Sequence, residues 1–159
     1  MFISFEGIEG VGKTTQIKWM AETLKKAGIS VLVTREPGGT PLGEEIRDIL
    51  LVHRPERVDP LTELLLMFAA RAQHVDTVIK PALARNDWVL CDRFVDASYA
   101  YQGGGRQVSM DKIAKLEQLV LDNFRTDYTF VLDAPPTVGF TRIQGRGRKD
   151  RIEQEKIEF

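Results

Sequence analysis

The sequence predicts an α/β fold in which helices flank both faces of a parallel β-sheet. Short apolar runs alternate with helical patterns along the chain, and the intervals between the runs are long enough for crossover helices. The predicted strands cover residues 2–5, 31–33, 88–91 and 130–132. Each run is apolar at successive positions, as expected for strands that are buried on both faces of a parallel sheet.

Helical periodicity fills the intervals between these strands. The predicted helices cover residues 13–27, 41–51, 60–79 and 109–123. The first is expected to stop at Gly28, because glycine readily adopts the left-handed conformation that closes a helix. The third is expected to end before Pro81, because proline breaks the interior of a helix.

Size and charge indicate a single domain. A chain of 159 residues suits one domain, residues 1–159, that buries about two thirds of its unfolded surface. With 22 Lys and Arg against 23 Asp and Glu, the net charge of −1 predicts neither a nucleic-acid nor a membrane-surface partner. The N-terminus lacks the basic region of a signal peptide, and no apolar run approaches the ~20 residues of a membrane span. Cys91 lies in an apolar run and is interpreted as a buried small hydrophobe, so we expect a cytoplasmic protein.

Residues 7–14 carry a complete phosphate-loop (P-loop) motif, G-x-x-x-x-G-K-[ST], between a predicted strand and a predicted helix. Its glycines let backbone N–H groups surround a phosphate, and the helix adds the positive end of its dipole. Lys13 is expected to reach the β and γ phosphates, and Thr14 to ligate Mg²⁺. A glycine-rich turn with a surface lysine is the alternative. The predicted ATP site comprises Gly7, Ile8, Glu9, Gly10, Val11, Gly12, Lys13, Thr14 and Thr15.

Three further segments lie at or just beyond the carboxyl ends of predicted strands, where ligands bind in open α/β sheets. They are Thr34-Arg35-Glu36-Pro37-Gly38-Gly39-Thr40, Cys91-Asp92-Arg93-Phe94 and Tyr101-Gln102-Gly103-Gly104-Gly105-Arg106. Asp92 at a strand end, level with the P-loop, has the geometry of a Walker B acid that holds Mg²⁺, and it could also cap the following helix.

Together with the P-loop and the basic run 145–151, these segments resemble bacterial thymidylate kinase over essentially the whole chain. The motifs Arg-Glu-Pro-Gly-Gly-Thr and Tyr-Gln-Gly-Gly-Gly-Arg are highly specific at this spacing. The resemblance implies a P-loop kinase of the nucleoside monophosphate type. Such an enzyme transfers the γ-phosphoryl group of ATP to dTMP, giving dTDP and ADP for dTTP synthesis. It also implies Mg²⁺ as cofactor and a homodimer built on long helices. Residues 64–75 could supply that dimer face, or could be core.

The resemblance further implies an acceptor site. Arg71 would hydrogen-bond the thymine, with an aromatic ring stacked on the base. In several relatives the aromatic stands four residues before the arginine, where this chain has Met67, and Phe68 is one position later. Which of the two faces the base stays open, with a core position as the alternative for Phe68.

Other positions match the family's acceptor contacts. Ser98 and Gln102 match residues at the base edge, and Tyr101 matches one that lies against the deoxyribose. Glu9 resembles an acid near the sugar, and Arg47 resembles an arginine that reaches the acceptor phosphate. The alternative for Ser98, Tyr101 and Gln102 is that they are polar loop residues without a ligand. The alternative for Arg47 is a solvated helix face. The implied dTMP-binding set is Glu9, Glu36, Pro37, Arg47, Met67, Phe68, Arg71, Arg93, Ser98, Tyr101 and Gln102.

The basic run 145–151 has the composition of a mobile lid, expected over about 142–151 beyond a core of about 1–135. A solvated surface is the alternative. The P-loop carries no arginine between Gly7 and Gly12. A lid guanidinium must therefore neutralise transition-state charge, with Arg146 the first choice and Arg151 the second. The predicted catalytic set is Lys13, Arg93, Arg146 and Arg151.

The tail 150–159 has the pattern of a helix that begins without a stop signal. The resemblance implies a longer chain, so we expect this one to lack the family's last strand and helix. Two other functions remain open. The chain could be a kinase for another nucleoside or nucleotide, or a truncated, noncatalytic nucleotide-binding module.

Overall fold

The computed structural model of the protein describes residues 1–144 and 151–152. The elements in chain order are β1 (Phe2–Glu6), α1 (Lys13–Lys26), β2 (Val31–Arg35), α2 (Pro41–Leu51), α3 (Pro60–His74), a π-helical turn (Val75–Ile79), α4 (Lys80–Ala84), β3 (Trp88–Asp92), α5 (Val95–Ser98), a second π-helical turn (Tyr99–Gly105), α6 (Met110–Leu121), β4 (Tyr128–Val131) and α7 (Pro136–Gln144). The predicted α/β class is confirmed, and every predicted strand and helix is present, with small shifts at the ends of all but the helix that begins at Pro60.

The sheet has four parallel strands in the order β2-β3-β1-β4. Phe5 near the end of β1 pairs with Asp92 at the end of β3, and Arg35 at the end of β2 pairs with the same residue. The loops that follow β1, β2 and β3 therefore leave the sheet side by side. This register brings the P-loop next to Asp92 and Arg93.

Two apolar clusters cover the two faces of the sheet. One places Phe2, Val89 and Cys91 against α3 and α6, and the other places Ile3 and Phe5 against α1. The helices therefore flank both faces, as expected. Cys91 is fully buried, and burial raises the pKa of its thiol well above the ordinary range.

Burial of the outer strands differs from the prediction. All five residues of β1 are buried, whereas all four residues of β4 are exposed, with Val131 at 71 %. Val33 of β2 is 48 % exposed. The expectation that every strand is buried on both faces is wrong for β2 and β4, because these two strands form the edges of the described sheet.

The helical stretch after Pro60 also differs from the prediction, since it continues beyond Pro81 to Ala84. A π-helical turn precedes the proline, and the N–H of Lys80 donates to the carbonyl of Val75, five residues earlier. The wider turn shifts the hydrogen-bonding pattern of the helix just before Pro81. The ring of a proline inside a regular α-helix would clash with the carbonyl of the preceding turn.

Helix starts follow from local capping. Thr40 accepts a hydrogen bond from the N–H of Gly43, and Asp59 accepts from the N–H groups of Leu61 and Thr62. A proline follows each cap at the first helical position, where its missing N–H costs nothing. Within residues 1–144 and 151–152, no helix is both long and apolar enough to cross a bilayer.

Candidate active site

The P-loop presents the start of α1 to a ligand. Gly12, with φ of 102°, precedes Lys13, and no side chain caps the helix at this residue. The first N–H groups of α1 can therefore bind phosphate oxygens. The Lys13 amine donates to the carbonyls of Gly7, at 2.8 Å, and Ile8, at 2.9 Å. Burial, with a smaller contribution from the nearby Arg93 charge, lowers the pKa of Lys13 to about 8.

A cavity of about 210 Å³ lies between the P-loop and the end of β3. Thr14 and Asp92 both line it, so a hydroxyl and a carboxylate oxygen face the same space. Within the described ranges, no group of three or more His, Cys, Asp or Glu side chains could hold a metal by itself. A hard cation that takes only one or two ligands from protein, and the rest from phosphate and water, fits this arrangement.

Arg93 is held in an unusual backbone conformation beside the P-loop. Its φ of 69° lies in the left-handed region, which is uncommon for a non-glycine residue and is often found at functional sites. Its guanidinium donates to Glu9 Oε1 at 2.6 Å and lies 4.8 Å from the centre of the Tyr101 ring. The Tyr101 hydroxyl donates to both Glu9 oxygens at 2.8 Å. Burial raises the pKa of Tyr101 well above its ordinary value, so the phenol stays a donor at neutral pH.

A second cavity, of about 80 Å³, lies on the other side of these residues. Glu9, Glu36, Arg47 and Arg93 line both cavities, so the two spaces share a wall. The second cavity is lined by Glu9, Glu36, Pro37, Arg47, Leu51, Met67, Arg71, Arg93, Phe94, Ala97, Ser98, Tyr101, Gln102 and Ile152. The structure thus brings together every residue of the expected acceptor set except Phe68.

The two neighbours on α3 have different surroundings. Met67 lines the second cavity, whereas Phe68 is 2 % exposed and packs in the core with Leu64. The ring of Phe68 lies 4.7 Å from the Arg71 guanidinium. Phe68 therefore supports Arg71 from the core instead of lining the cavity, because successive residues on a helix point about 100° apart.

Arg71 is a buried arginine that is fixed by three partners. Its Nε donates to Glu36 Oε2 at 2.7 Å, Nη1 to Ser98 Oγ at 3.1 Å, and Nη2 to the Phe94 carbonyl at 3.0 Å. Arg71 is only 3 % exposed. Its guanidinium plane is therefore set by the protein before any ligand binds.

Arg151 lies against helices α2 and α3. It donates to Glu63 Oε2 at 2.6 Å and to the Leu50 carbonyl at 2.8 Å. Glu63 also accepts from Gln102 Nε2 at 2.9 Å. Burial alone would raise the pKa of Glu63, but the bonds from Gln102 and Arg151 hold it below the ordinary value. Arg146 and most of the predicted lid, residues 145–150, lie outside the described residues.

Several site residues were not anticipated from the sequence. Phe94, Ala97 and Leu51 line the second cavity as apolar walls. Phe94 ends one of the three segments noted in the sequence, whereas no motif distinguished Ala97 and Leu51 from core residues. Arg142 donates to the Gly10 carbonyl at 3.0 Å. Its place at the start of the basic segment was the one available signal.

Comparison with known proteins identifies the family. The thymidylate kinase family model matches residues 5–159. A curated thymidylate kinase of Pseudomonas fluorescens (strain Pf0-1) is 55 % identical over 159 residues, which cover 100 % of this chain and 76 % of the relative. One from Vesicomyosocius okutanii is 56 % identical over 158 residues, covering 99 % of this chain and 77 % of the relative.

A solved structure agrees with these relatives. The crystal structure of thymidylate kinase from Ehrlichia chaffeensis superposes with a TM-score of 0.79 at 42 % identity, covering 91 % of this chain and 77 % of that chain. The present chain thus spans about three quarters of the length of its relatives. With a P-loop, an aspartate at the end of β3 and two adjoining cavities at one edge of the sheet, the chain belongs to the thymidylate kinase family.

Proposed function

We infer that this chain transfers the γ-phosphoryl group of ATP to dTMP, giving dTDP and ADP. The observation that carries the inference is the shared wall between the two cavities. Glu9, Arg47 and Arg93 line both the first cavity, at the P-loop, and the second cavity, which Arg71 also lines. Two anionic nucleotides could therefore meet at this wall, where two guanidinium groups offset the repulsion between their phosphates.

The reaction needs positioning and charge more than proton transfer. The attacking atom is a phosphate oxygen that is already anionic, so no general base is required. Lys13 lies on the donor side, where its amine can leave the Gly7 and Ile8 carbonyls for the β and γ phosphates. Arg93 would then contact the region between the donor and acceptor phosphates, and Arg47 would contact the phosphate of dTMP. Arg146, and after it Arg151, remain the proposed lid arginines.

We assign the divalent metal to Mg²⁺ held through Thr14 and Asp92. A carboxylate, a hydroxyl, phosphate oxygens and water form the octahedral oxygen set that Mg²⁺ prefers. The ion would supply positive charge that screens the phosphates of ATP when it is bound. ATP is proposed to bind at the P-loop residues from Gly7 to Thr15, as expected from the sequence.

The acceptor base is proposed to lie between Met67 and Phe94, with the Arg71 guanidinium at its carbonyl edge. Ser98 and Gln102 would bind the base edge, and Glu36 and Pro37 would complete the lining of the pocket. Tyr101, held by Glu9, would lie against the deoxyribose and disfavour a 2′-hydroxyl. A planar base between apolar walls, with a few fixed polar groups at its edge, is the usual design of a nucleotide pocket.

A homodimer is also proposed, through helices α2 and α3. Leu64, Phe68 and Val75 are buried within the chain, so the segment 64–75 serves mainly as core. Exposed apolar side chains on the same helices offer an alternative contact face. They are Leu42, Ile49, Leu61 and Leu65. The cytoplasmic location remains a prediction from the sequence.

An acceptor panel tests the proposed activity. Purified protein is incubated with ATP and dTMP, dUMP, UMP, CMP or AMP, with and without Mg²⁺, in a coupled ADP assay. We expect the fastest turnover with dTMP and a loss of turnover without the metal. Faster turnover of UMP would instead indicate another nucleotide kinase, and dTMP binding without turnover would indicate the noncatalytic module.

A further inference from the structure

A buried chain of hydrogen bonds runs from the end of β2 to the acceptor cavity through His74. Thr34 Oγ1 lies 2.6 Å from His74 Nε2, and His74 Nδ1 lies 3.0 Å from Glu36 Oε1. The other Glu36 oxygen accepts from Arg71 Nε at 2.7 Å. His74 is 0 % exposed, so the middle of this chain is shielded from solvent.

The direction of these hydrogen bonds follows from the chemistry of the groups. A carboxylate can only accept, so the proton of the imidazole lies on Nδ1 and is donated to Glu36. In a neutral imidazole Nε2 is then an acceptor, which the Thr34 hydroxyl can satisfy.

Close packing fixes the position of the ring. Gly39 has φ of 78°, and a Cβ built on it would lie 2.4 Å from His74 Nε2 and 2.7 Å from Thr34 Oγ1. The backbone of the Glu-Pro-Gly-Gly turn therefore rests directly on the imidazole. Together with its two hydrogen bonds, this contact restrains His74 on three sides.

We propose that His74 is a positioning residue for the acceptor nucleotide. By binding Glu36 Oε1, it fixes the plane of the carboxylate that orients Arg71. Within the described part of the chain, the three hydrogen bonds of Arg71 to Glu36, Ser98 and Phe94 use three of its five N–H groups. Because Arg71 also lines the second cavity, we expect the other two to donate to the carbonyl edge of a pyrimidine bound there. The proposal rests on the proposed function, in which Arg71 binds the base.

A residue with only a structural role would affect stability but not the two substrates differently. A positioning role predicts a selective effect, because the chain ends at Arg71, which lines the second cavity and not the cavity at the P-loop. The decisive readouts are therefore the KM and Kd for dTMP compared with the KM for ATP. The melting temperature of each variant is measured in parallel.

The variants form two matched pairs. Thr34→Val removes the hydroxyl that satisfies Nε2 while keeping the shape, and Thr34→Ser keeps the hydroxyl. His74→Ala removes both hydrogen bonds, and His74→Asn places an amide N–H near the position of Nδ1. Thr34 is only half-buried, so its pair remains informative should His74→Ala fail to fold.

We expect Thr34→Val and His74→Ala to raise the KM and Kd for dTMP about tenfold, the size expected for weakening one hydrogen bond to a charged group. The KM for ATP should stay near that of the wild type. Thr34→Ser should match the wild type, and His74→Asn should recover much of the dTMP affinity.

Two results would overturn the proposal. One is an unchanged dTMP KM in Thr34→Val despite a lower melting temperature, and the other is an equal rise in the KM values of both substrates. The acceptor panel on the wild type separates these results from a failure of the proposed function. If the wild type neither binds nor phosphorylates dTMP, the substrate assignment fails before His74 is tested.

Discussion

Gly10 in the P-loop and Gly139 in α7 meet backbone to backbone. A Cβ on Gly10 would lie 2.5 Å from the Gly139 carbonyl oxygen, and a Cβ on Gly139 would lie 2.4 Å from the Glu9 carbonyl oxygen. The obstructing atoms are backbone, so the clash could not be relieved by a side-chain rotation. The helix α7 thus supports the outer side of the phosphate loop.

Gly139→Ala should therefore weaken ATP binding although alanine favours helix formation. Overpacking of this size typically costs about 1–3 kcal/mol, so displacement of the loop should raise the Kd for ATP about tenfold. Isothermal titration calorimetry with ATP measures the effect. Val138→Ala, at an exposed position of the same helix, is the matched control. Wild-type ATP affinity in Gly139→Ala would show that α7 does not support the loop.

ATP affinity should fall as the pH rises above 8. The pKa of Lys13 is lowered to about 8 in the free protein, mainly by burial. Phosphate binding favours the charged amine, so above this pH the protein must take up a proton when ATP binds. We expect the Kd for ATP to rise about tenfold between pH 7 and pH 9.

Calorimetry in two buffers with different ionisation enthalpies measures that proton uptake directly at pH 9. Lys13→Arg is the control, since its guanidinium stays charged throughout this range. Proton uptake that persists at the same level in Lys13→Arg would assign the titration to another group.

Glu6 should make the protein less stable as the pH rises from 4.5 to 7. Burial raises the pKa of Glu6 from 4.5 to about 7, although the Phe94 N–H donates to its carboxyl. The folded protein therefore binds more protons than the unfolded chain in this window, so this contribution to stability is lost as the pH rises.

Glu6→Gln resembles the protonated form and still offers an acceptor to the Phe94 N–H. We expect the melting temperature of Glu6→Gln to exceed that of the wild type by about 5 °C at pH 8, and the difference to shrink at pH 5. Thermal unfolding at both values measures it. A difference that does not depend on pH would mean that Glu6 does not titrate in this range.

Arg146→Ala should lower kcat at least a hundredfold, because an arginine that neutralises transition-state charge is worth ~10³ to 10⁵ in rate in related phosphoryl transfers. The KM for dTMP should change little, because the contact is expected only during phosphoryl transfer. Steady-state kinetics with Lys149→Ala as a control in the same basic run tests this. Turnover like that of the wild type would remove Arg146 from the mechanism and leave Arg151 as the candidate.

Most residues of the proposed dTMP site could be predicted from the sequence. The family resemblance implied Arg71, Ser98 and Gln102, and the structure places all three on one cavity. The choice between Met67 and Phe68 could not be made from the sequence, because both lie in an apolar helical segment. It depends on which side of α3 faces the sheet, which is a property of helix packing.

His74 shows the limit in another way. A histidine on an apolar helix carries no sequence signal of its role, since its partners come from β2 and from the turn that follows it. The continuation of the helix past Pro81 could not be predicted from the sequence either. The rule that proline ends a helix does not account for a wider turn before the proline.

By itself, the sequence determined the phosphate loop, the positions of the strands and helices, and the family. These depend on short patterns whose physical basis is local: backbone conformation at glycine, hydrophobic periodicity and helix capping. Only the tertiary structure decided that Glu9 accepts a hydrogen bond from Tyr101, 92 positions away. It also decided that the ring of Phe68 packs against Arg71 from the core. Such contacts follow from strand register and helix packing, which many distant residues set together.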